Sequence, residues 1–374
     1  MKRLAVSLAA IADRPNLLLA SWKACRGKRR RPAVAHFLAD LDRNLDHLAD
    51  AIRRGSAPQG VSSRFVIHDP KRRVIHAACL ADRILHHAIL NLAEPRFEAM
   101  LVDSCYACRP GKGVHAAVAA VQRGLRRWPW FVQVDVDAYF PSIRHDLLLD
   151  LLARRFKGAG FLDLLARILR AGATAGPGRG LPIGALTSQH FANAFLDSAD
   201  RLVLARAGCG GHVRYMDDLF WGCASRAAAE ETLAALDAHL CDTKGLALKA
   251  RPRIARSREG ARFCGFRLRQ GVILPGARKM ARFRAAMMRI DALRRAGLVD
   301  EADCQRAWAV HRSALHGAAS EGLRRRLLAT LGYDGRPCEI LQTRTTSDFH
   351  RPFAARNPRE TAVMLPIPES FRSD

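Results

Sequence analysis

The chain has 374 residues, 49% of them hydrophobic, which is enough to bury a large core or two to three subdomains. Its 61 Lys and Arg against 35 Asp and Glu give a net charge of +26 along the whole length, which favours nucleic acid as a partner and disfavours a membrane surface. Ten scattered cysteines, no apolar run of transmembrane length and no signal-peptide pattern argue against a membrane-spanning or secreted protein and predict a cytoplasmic one.

Strand patterns first occur at residues 64–75, around a turn at Asp69-Pro70. On the second strand, Lys71 and Arg73 alternate onto one face, which suits contacts to phosphate groups. Apolar residues at helical spacing follow from residue 80 and predict a helix that ends at Pro95.

A second strand region follows a basic, Gly- and Pro-containing loop at 104–113 and a helix near 114–127. Valines alternate there with polar residues, which predicts a half-buried strand carrying Asp135. Asp137 is the rival for the role of Asp135. The backbone carbonyl of Val136, between them, is a further candidate oxygen ligand.

Helices are predicted next at about 144–157 and 161–171, followed by a Gly-rich linker. The linker leads into Ile183-Gly184 and then into a helix that Thr187 or Ser188 can cap.

Tyr215-Met216-Asp217-Asp218 lies between two short strand-like runs and is predicted to be the tip of a β-hairpin. Two adjacent carboxylates disfavour folding there, because like charges raise each other's cost of ionisation. Two bound divalent cations would remove the conflict, with Asp135 as the third carboxylate. Oxygen ligands without His or Cys indicate Mg²⁺, with Mn²⁺ as an alternative, and predict phosphoryl transfer in nucleotide polymerisation.

The C-terminal third begins with a predicted helix at about 226–241 and short strands at 246–249 and 262–268. A strongly basic helical region follows from about 277 to 331. Residues 333–374 lack periodicity and are predicted to be a loosely ordered tail.

Taken together, these segments resemble reverse transcriptases over about residues 14–330. Asp135 to Phe140 is similar to the first catalytic motif of that family, and Tyr215 to Asp218 to the second. The resemblance implies an α+β right-hand polymerase fold with fingers, an antiparallel-sheet palm and a helical thumb. The corresponding domains are an N-terminal extension and fingers (1–130), a palm (131–270, with a fingers-like insertion at about 144–180), a thumb (271–332) and the tail (333–374).

The same resemblance implies roles for further residues. An aromatic gate that excludes ribonucleotides is assigned to Phe140, with Tyr139 as the alternative. The other residues assigned to the incoming dNTP are Lys71, Arg73, Ile183, Gly184, Gln189 and Arg251, where Lys249 is the alternative to Arg251. The residues assigned to nucleic acid are Tyr106, Arg109, Tyr215, Met216, and Phe263 and Gly265 of a segment similar to the primer grip.

One segment is similar to a particular subgroup. Ile183 and Gln189 stand where retroviral and group II enzymes usually have Gln and Pro, a pattern that resembles reverse transcriptases of diversity-generating retroelements. That likeness implies error-prone copying, as in mutagenic retrohoming, with misincorporation at template adenines and a basic accessory protein as partner. Other expected partners are an RNA template, an RNA or DNA primer and the cDNA product. The alternatives are a retron-like or phage-defence reverse transcriptase and a non-catalytic, maturase-like RNA-binding module.

Overall fold

The computed structural model describes residues 2–68 and 72–331. Contacts divide the chain into a unit of residues 1–320 and a second unit that begins at Glu321. The predicted tail at 333–374 lies outside the described residues. The helices are α1 (Leu8–Ile11), α2 (Arg14–Cys25), α3 (Pro32–Ala39), α4 (Leu41–Arg54), α5 (Leu80–Met100), α6 (Val114–Arg127), α7 (Tyr139–Ser142), α8 (His145–Ala153), α9 (Ala159–Ala171), α10 (Leu186–Phe195), α11 (Asp197–Leu204), α12 (Arg226–His239), α13 (Ala277–Arg295), α14 (Glu301–Ser313) and α15 (Glu321–Thr330). The strands are β1 (Leu4–Ala5), β2 (Ser62–His68), β3 (Arg72–Ala78), β4 (Trp130–Asp135), β5 (Phe156–Lys157), β6 (Cys209–Tyr215), β7 (Asp218–Cys223), β8 (Arg253–Arg256), β9 (Ala261–Phe263), β10 (Phe266–Leu268) and β11 (Ile273–Pro275).

A four-stranded sheet in the order β6-β7-β4-β8 carries the predicted acidic residues. All of its strand pairs are antiparallel, so the antiparallel sheet predicted from the sequence is confirmed. The register pairs Asp135, the last residue of β4, with Asp218, the first residue of β7. Because side chains alternate along a strand, Gln133 and Asp135 share one face of the sheet.

Both faces of this sheet pack against helices. Val132, Val134 and Trp221 belong to the larger hydrophobic cluster, on the face that α12 covers. Phe131 and Phe220 belong to a second cluster with α6, and their rings stack at 5.4 Å between centroids. The carboxylates lie on this second face, at the end of the strands beyond the stacked rings.

The indole of Trp128 lies directly against the backbone of β6 and β7. A Cβ atom at Gly222 would lie 2.3 Å from the ring, and one at Gly210 would lie 2.6 Å from it. No side chain fits in that space, so glycine is required on both strands of the hairpin. This packing fixes the end of the hairpin opposite the turn.

The hairpin β2–β3 forms the predicted strand pair near the N-terminus. The turn predicted at Asp69-Pro70 lies outside the described residues. The loop before α10 docks on β3, because the His76 N–H donates to the Ile183 carbonyl at 2.9 Å. Gly184 follows with φ +115°, and a Cβ there would lie 2.9 Å from the His76 oxygen. Glycine is therefore needed for this close approach.

Several predicted boundaries differ from the structure. Helix α10 begins at Leu186 with Ala185 at its N-cap position, so Thr187 and Ser188 lie inside the helix and do not cap it. Helix α5 continues through Pro95 to Met100, because Ala93, Phe97 and Met100 are buried and hold the last turns in place. No strand forms at 246–249 apart from a bridge between Leu248 and Val136, and the fourth strand of the sheet is β8.

A three-stranded antiparallel sheet in the order β11-β10-β9 precedes the basic helices α13 and α14, which pack on each other. Helix α15 lies in the second unit. In the part of the chain that the structure describes, none of the helices is long and apolar enough to cross a lipid bilayer.

Candidate active site

The turn between β6 and β7 positions two of the predicted carboxylates. Met216 has a left-handed backbone (φ 56°), which residues with side chains seldom adopt. The N–H of Val136 donates to the Asp217 carbonyl at 3.1 Å, which ties the turn to the end of β4. With Asp218 opposite Asp135, the three carboxylates predicted from distant segments lie at one end of the sheet. Asp137, the rival of Asp135, is exposed and lies beyond the strand.

The carboxylates destabilise one another when ionised. Burial raises the pKa of Asp217, and the neighbouring Asp135 raises it further. Burial also raises the pKa of Asp218 to about 7; a hydrogen bond from Gln133 opposes the shift, and Asp135 and Asp217 add to it. These directions follow from desolvation and like-charge repulsion.

Two other side chains contact the cluster. The Gln133 amide donates to Asp218 Oδ1 at 3.1 Å and to the carbonyl of Arg262 at 2.7 Å. The Lys249 ammonium forms an ion pair with Asp135, and the Lys249 N–H donates to the Asp135 carbonyl at 2.9 Å. Because Arg251 is exposed, this geometry favours Lys249, the sequence-based alternative, as the basic residue at the carboxylates.

The donor set fits a hard divalent cation in chemistry and charge. Carboxylate oxygens without His or Cys are ligands that suit Mg²⁺ or Mn²⁺, and a cation would relieve the repulsion that raises the pKa values of Asp217 and Asp218. Across residues 2–68 and 72–331, however, no three His, Cys, Asp or Glu side chains are already gathered as a metal site. The Asp135 carboxylate forms an ion pair with Lys249, so a bound cation would compete with that ammonium for it.

The predicted nucleotide-binding residues lie on separate segments of the chain. Arg73 is exposed on β3, whereas Lys71 lies outside the described residues. Phe140 is half-buried, but Tyr139 is only 2% exposed and its hydroxyl donates to the Ala192 carbonyl. Tyr139 is therefore a core residue, and Phe140 is the one of the pair available to a ligand.

The segment that begins α10 contacts the loop at 104–113. Gln189, predicted to bind the nucleotide, accepts a hydrogen bond at 3.3 Å from the Cys108 thiol. Ile183 is half-buried and Gly184 is exposed, so both keep accessible surface although their loop packs on β3. These contacts leave the nucleotide-binding roles of the three residues as predictions.

The loop at 104–113 has an internally bonded structure. The Arg109 guanidinium donates to Glu98 at 2.8 Å and to two carbonyls of nearby residues, and its side chain is 9% exposed. Arg109 thus maintains the shape of the loop, and its contact to a template stays a prediction. Tyr106 is half-buried, with the Lys112 ammonium 5.1 Å from the centre of its ring.

The segment predicted to resemble a primer grip is a tight hairpin between β9 and β10. Cys264 and Gly265 both have positive φ (46° and 77°), as two-residue hairpin turns require. Phe263 is 1% exposed, so its side chain belongs to the core, and the turn presents backbone. Gln133 bonds both Asp218 and the Arg262 carbonyl of β9, which puts this hairpin beside the carboxylates. Burial and the proximity of Asp218 both raise the pKa of the Cys264 thiol. Burial, Cys264 and Cys108 raise the pKa of Tyr215, which lies near both loops.

One group of buried polar residues was not predicted from the sequence. Arg214 and Asp200 are 0% exposed and form a salt bridge at 2.7 Å, and Asn193 is 1% exposed beside them. Removing one partner of such a pair costs about 3–5 kcal/mol, because the other charge stays buried. The sequence gives one signal for this group: Arg214 stands inside a strand-like run, where a charged residue is unusual.

One family model and several known proteins match parts of this chain. The family model described as "Reverse transcriptase (RNA-dependent DNA polymerase)" matches residues 68–268, more than half of the chain. Protein YkfC of Escherichia coli is 30% identical over 146 residues, covering 36% of this chain and 38% of that protein. Group II intron-encoded protein LtrA of Lactococcus lactis is 25% identical over 154 residues, covering 39% and 26%. Nuclear intron maturase 1 of Arabidopsis thaliana is 26% identical over 101 residues, covering 26% and 14%. The chain thus spans less than two fifths of each of these relatives.

Among solved structures, apo telomerase from Candida tropicalis, truncated from its C-terminal domain, aligns with a TM-score of 0.42 and 12% identity, covering 59% of this chain and 56% of that one. Candida albicans telomerase in complex with a fragment of telomeric RNA aligns with a TM-score of 0.43 and 10% identity, covering 75% and 56%.

Proposed function

Because this chain belongs to the reverse transcriptase family, we propose that it is an RNA-directed DNA polymerase that copies an RNA template into complementary DNA. Family membership also supports the α+β, right-hand polymerase fold predicted from the sequence. The observation that carries the proposed activity is the register of the central sheet, which sets Asp135 opposite Asp218 with Asp217 in the adjoining turn.

The three carboxylates and the carbonyl of Val136 are the proposed ligands of two Mg²⁺ ions, for which Mn²⁺ could substitute. Bound there, the ions would activate the primer 3′-hydroxyl and stabilise the pyrophosphate leaving group. Gln133 orients Asp218 through its amide, and Lys249 supplies positive charge beside Asp135. These two residues support the cluster from strand β4 and from the segment before β8.

The incoming dNTP is proposed to lie between the β2–β3 hairpin and the start of α10. Phe140 would crowd the 2′-position and so exclude ribonucleotides. The other residues proposed to contact the nucleotide are Lys71, Arg73, Ile183, Gly184, Gln189 and Lys249, the last in preference to Arg251.

The template and the primer are proposed to lie along the basic surface, as the net charge of +26 favours a polyanionic partner. Tyr106 and Tyr215 would contact nucleic acid beside the catalytic turn, next to Met216. The exposed backbone at Gly265 would approach the primer end.

A primer-extension assay tests the activity. Purified protein, a primed RNA template, dNTPs and Mg²⁺ should give extended primer, and Asp217→Asn should abolish extension. Asp137→Asn is the matched control, because Asp137 is exposed and should leave extension unchanged. Tight RNA binding without extension by the unaltered chain would instead support the alternative of a non-catalytic, maturase-like RNA-binding module.

A finer proposal is that copying is error-prone and serves a diversity-generating retroelement, with a basic accessory protein as partner. The supporting feature is Ile183, an aliphatic residue that can offer no side-chain hydrogen bond to the nucleotide. A lost hydrogen bond weakens discrimination by about 1–3 kcal/mol. Sequencing the products should show misincorporation concentrated at template adenines, and Ile183→Gln should reduce it; equal error rates at all four template bases would contradict the subtype.

A further inference from the structure

Arg214 is a fully buried arginine two residues before the catalytic turn. Its Nε donates to both carboxylate oxygens of Asp200, at 2.7 and 2.9 Å. Its Nη1 donates to Asn193 Oδ1 at 3.0 Å, and its Nη2 donates to the Asn193 carbonyl at 2.9 Å. The guanidinium is thus clamped on two sides, by α11 and by α10.

The same guanidinium reaches the turn itself. Nη1 also donates to the carbonyl of Met216 at 3.2 Å. Met216 is the residue with the left-handed backbone, and Asp217 is the next residue along the chain. A strained backbone conformation persists only where its surroundings hold it, and this hydrogen bond is one such restraint.

The backbone of Arg214 links the turn to the loop at 104–113. The Arg214 N–H donates to the Ser104 carbonyl, and the Tyr106 N–H donates to the Arg214 carbonyl, each at 2.9 Å. Asn193 extends the link, because its Nδ2 donates to the Ala107 carbonyl at 2.7 Å. One residue therefore joins the turn, the loop and two helices.

A lysine could not make these contacts. The planar guanidinium directs donors from three nitrogens in fixed directions, whereas an ammonium is a single point of charge on a flexible stem. Arginine at this position therefore provides directional contacts as well as charge.

We propose that Arg214 is a positioning residue for the polymerase reaction: held by Asp200 and Asn193, it fixes the Met216 carbonyl and thereby the place of the Asp217 carboxylate. The inference rests on the proposed function and adds a residue that does not touch the substrate.

Arg201 is a control for an arginine that makes the same kinds of contact away from the turn, although its side chain is 57% exposed. Its Nε donates to Asp197 at 2.8 Å and its Nη2 donates to the Met100 carbonyl at 2.7 Å. It thus also joins a carboxylate to a backbone carbonyl, but at the end of α5.

The test compares Arg214→Lys and Asn193→Ala with Arg201→Lys. In Arg214→Lys and in Asn193→Ala, kcat for primer extension should fall by about 10–100-fold, as for supporting residues of other reactive sites. KM for dNTP and the affinity for primer–template should stay within about threefold, and active-site titration should show an unchanged active fraction. Hydrogen exchange should become faster in peptides spanning 212–220 and stay unchanged in α2. Arg201→Lys should change neither kcat nor exchange in 212–220.

A folded Arg214→Lys protein with unaltered kcat and unaltered exchange at 212–220 would overturn the proposal. Failure of both Arg214→Lys and Asn193→Ala to fold would also overturn it, because the contacts among Arg214, Asp200 and Asn193 would then be needed for the stability of the whole fold. If the unaltered protein does not extend primers, the proposed function fails, but the exchange measurement still decides whether Arg214 holds the turn.

Discussion

Replacing Asp218 with asparagine should make the metal-free protein more stable at neutral and alkaline pH. Asp218 is desolvated and lies beside Asp135 and Asp217, so its ionised form is disfavoured in the folded chain. Asparagine has nearly the same shape, carries no charge and can still accept the hydrogen bond from Gln133. The variant therefore removes repulsion without leaving a cavity.

The size of the effect follows from the pKa of Asp218, which rises from 3.8 to about 7 on folding. The folded chain therefore holds more protons than the unfolded chain between these two values, and its stability falls as pH rises through that window. At about 1.4 kcal/mol per pKa unit, the full difference is about 4 kcal/mol above pH 7 and vanishes below pH 4. Relaxation of the site and the lost charge-assisted hydrogen bond reduce the expected gain to about 2–3 kcal/mol.

Denaturant unfolding with a chelator at pH 5 and at pH 8, followed by circular dichroism, measures this difference. The unaltered protein should lose stability from pH 5 to pH 8, and Asp218→Asn should lose less. Mg²⁺ should restore stability to the unaltered protein at pH 8 and have a weaker effect on the variant. Asp137→Asn, at an exposed site, should behave like the unaltered chain. An Asp218→Asn protein that is less stable than the unaltered one at pH 8 without metal would refute the reasoning.

Three other substitutions test the packing and the nucleotide site. Gly184→Ala should lower the free energy of unfolding by about 1–3 kcal/mol, because φ is +115° and the new Cβ would lie 2.9 Å from a backbone oxygen of β3; equal melting temperatures would contradict this. Gly222→Ala should destabilise by about 3 kcal/mol or more through a clash with the indole, whereas Gly271→Ala, where nothing lies within 4 Å, should have little effect in the same unfolding measurement. Phe140→Val should raise ribonucleotide incorporation by about 10-fold or more in primer extension, whereas Tyr139→Phe, at a buried site, should leave it unchanged; the reverse order would identify Tyr139 as the gate.

The central hairpin and its partner strand could be predicted because their signals are local. A strand alternates with a period of two, so the run around Asp135 and the runs flanking Tyr215 to Asp218 each indicated which residues share a face. The charge conflict between adjacent carboxylates indicated that these segments meet. The register that sets Asp135 opposite Asp218 agrees with that expectation.

The remaining features depend on packing between distant segments. Pro95 stops a helix in isolation, but buried neighbours on both sides carry α5 through it. Lys249 and Arg251 are both basic and lie two positions apart, so the sequence does not distinguish them. In the structure, Lys249 is the one that pairs with Asp135. The environment of Arg214 could not be predicted, because its partners come from α10, α11 and the turn, and only the folded chain brings them together.

The left-handed backbone of Met216 has a consequence for how this motif can evolve. A residue that replaces Met216 must first adopt this left-handed backbone conformation, whatever its effect on substrate binding. Unbranched side chains, or asparagine and glycine, enter this conformation most readily, whereas valine or isoleucine adds strain of about 1–2 kcal/mol. If valine or isoleucine became fixed at this position under laboratory selection, we would expect the backbone of the hairpin to have changed so that the strain is reduced.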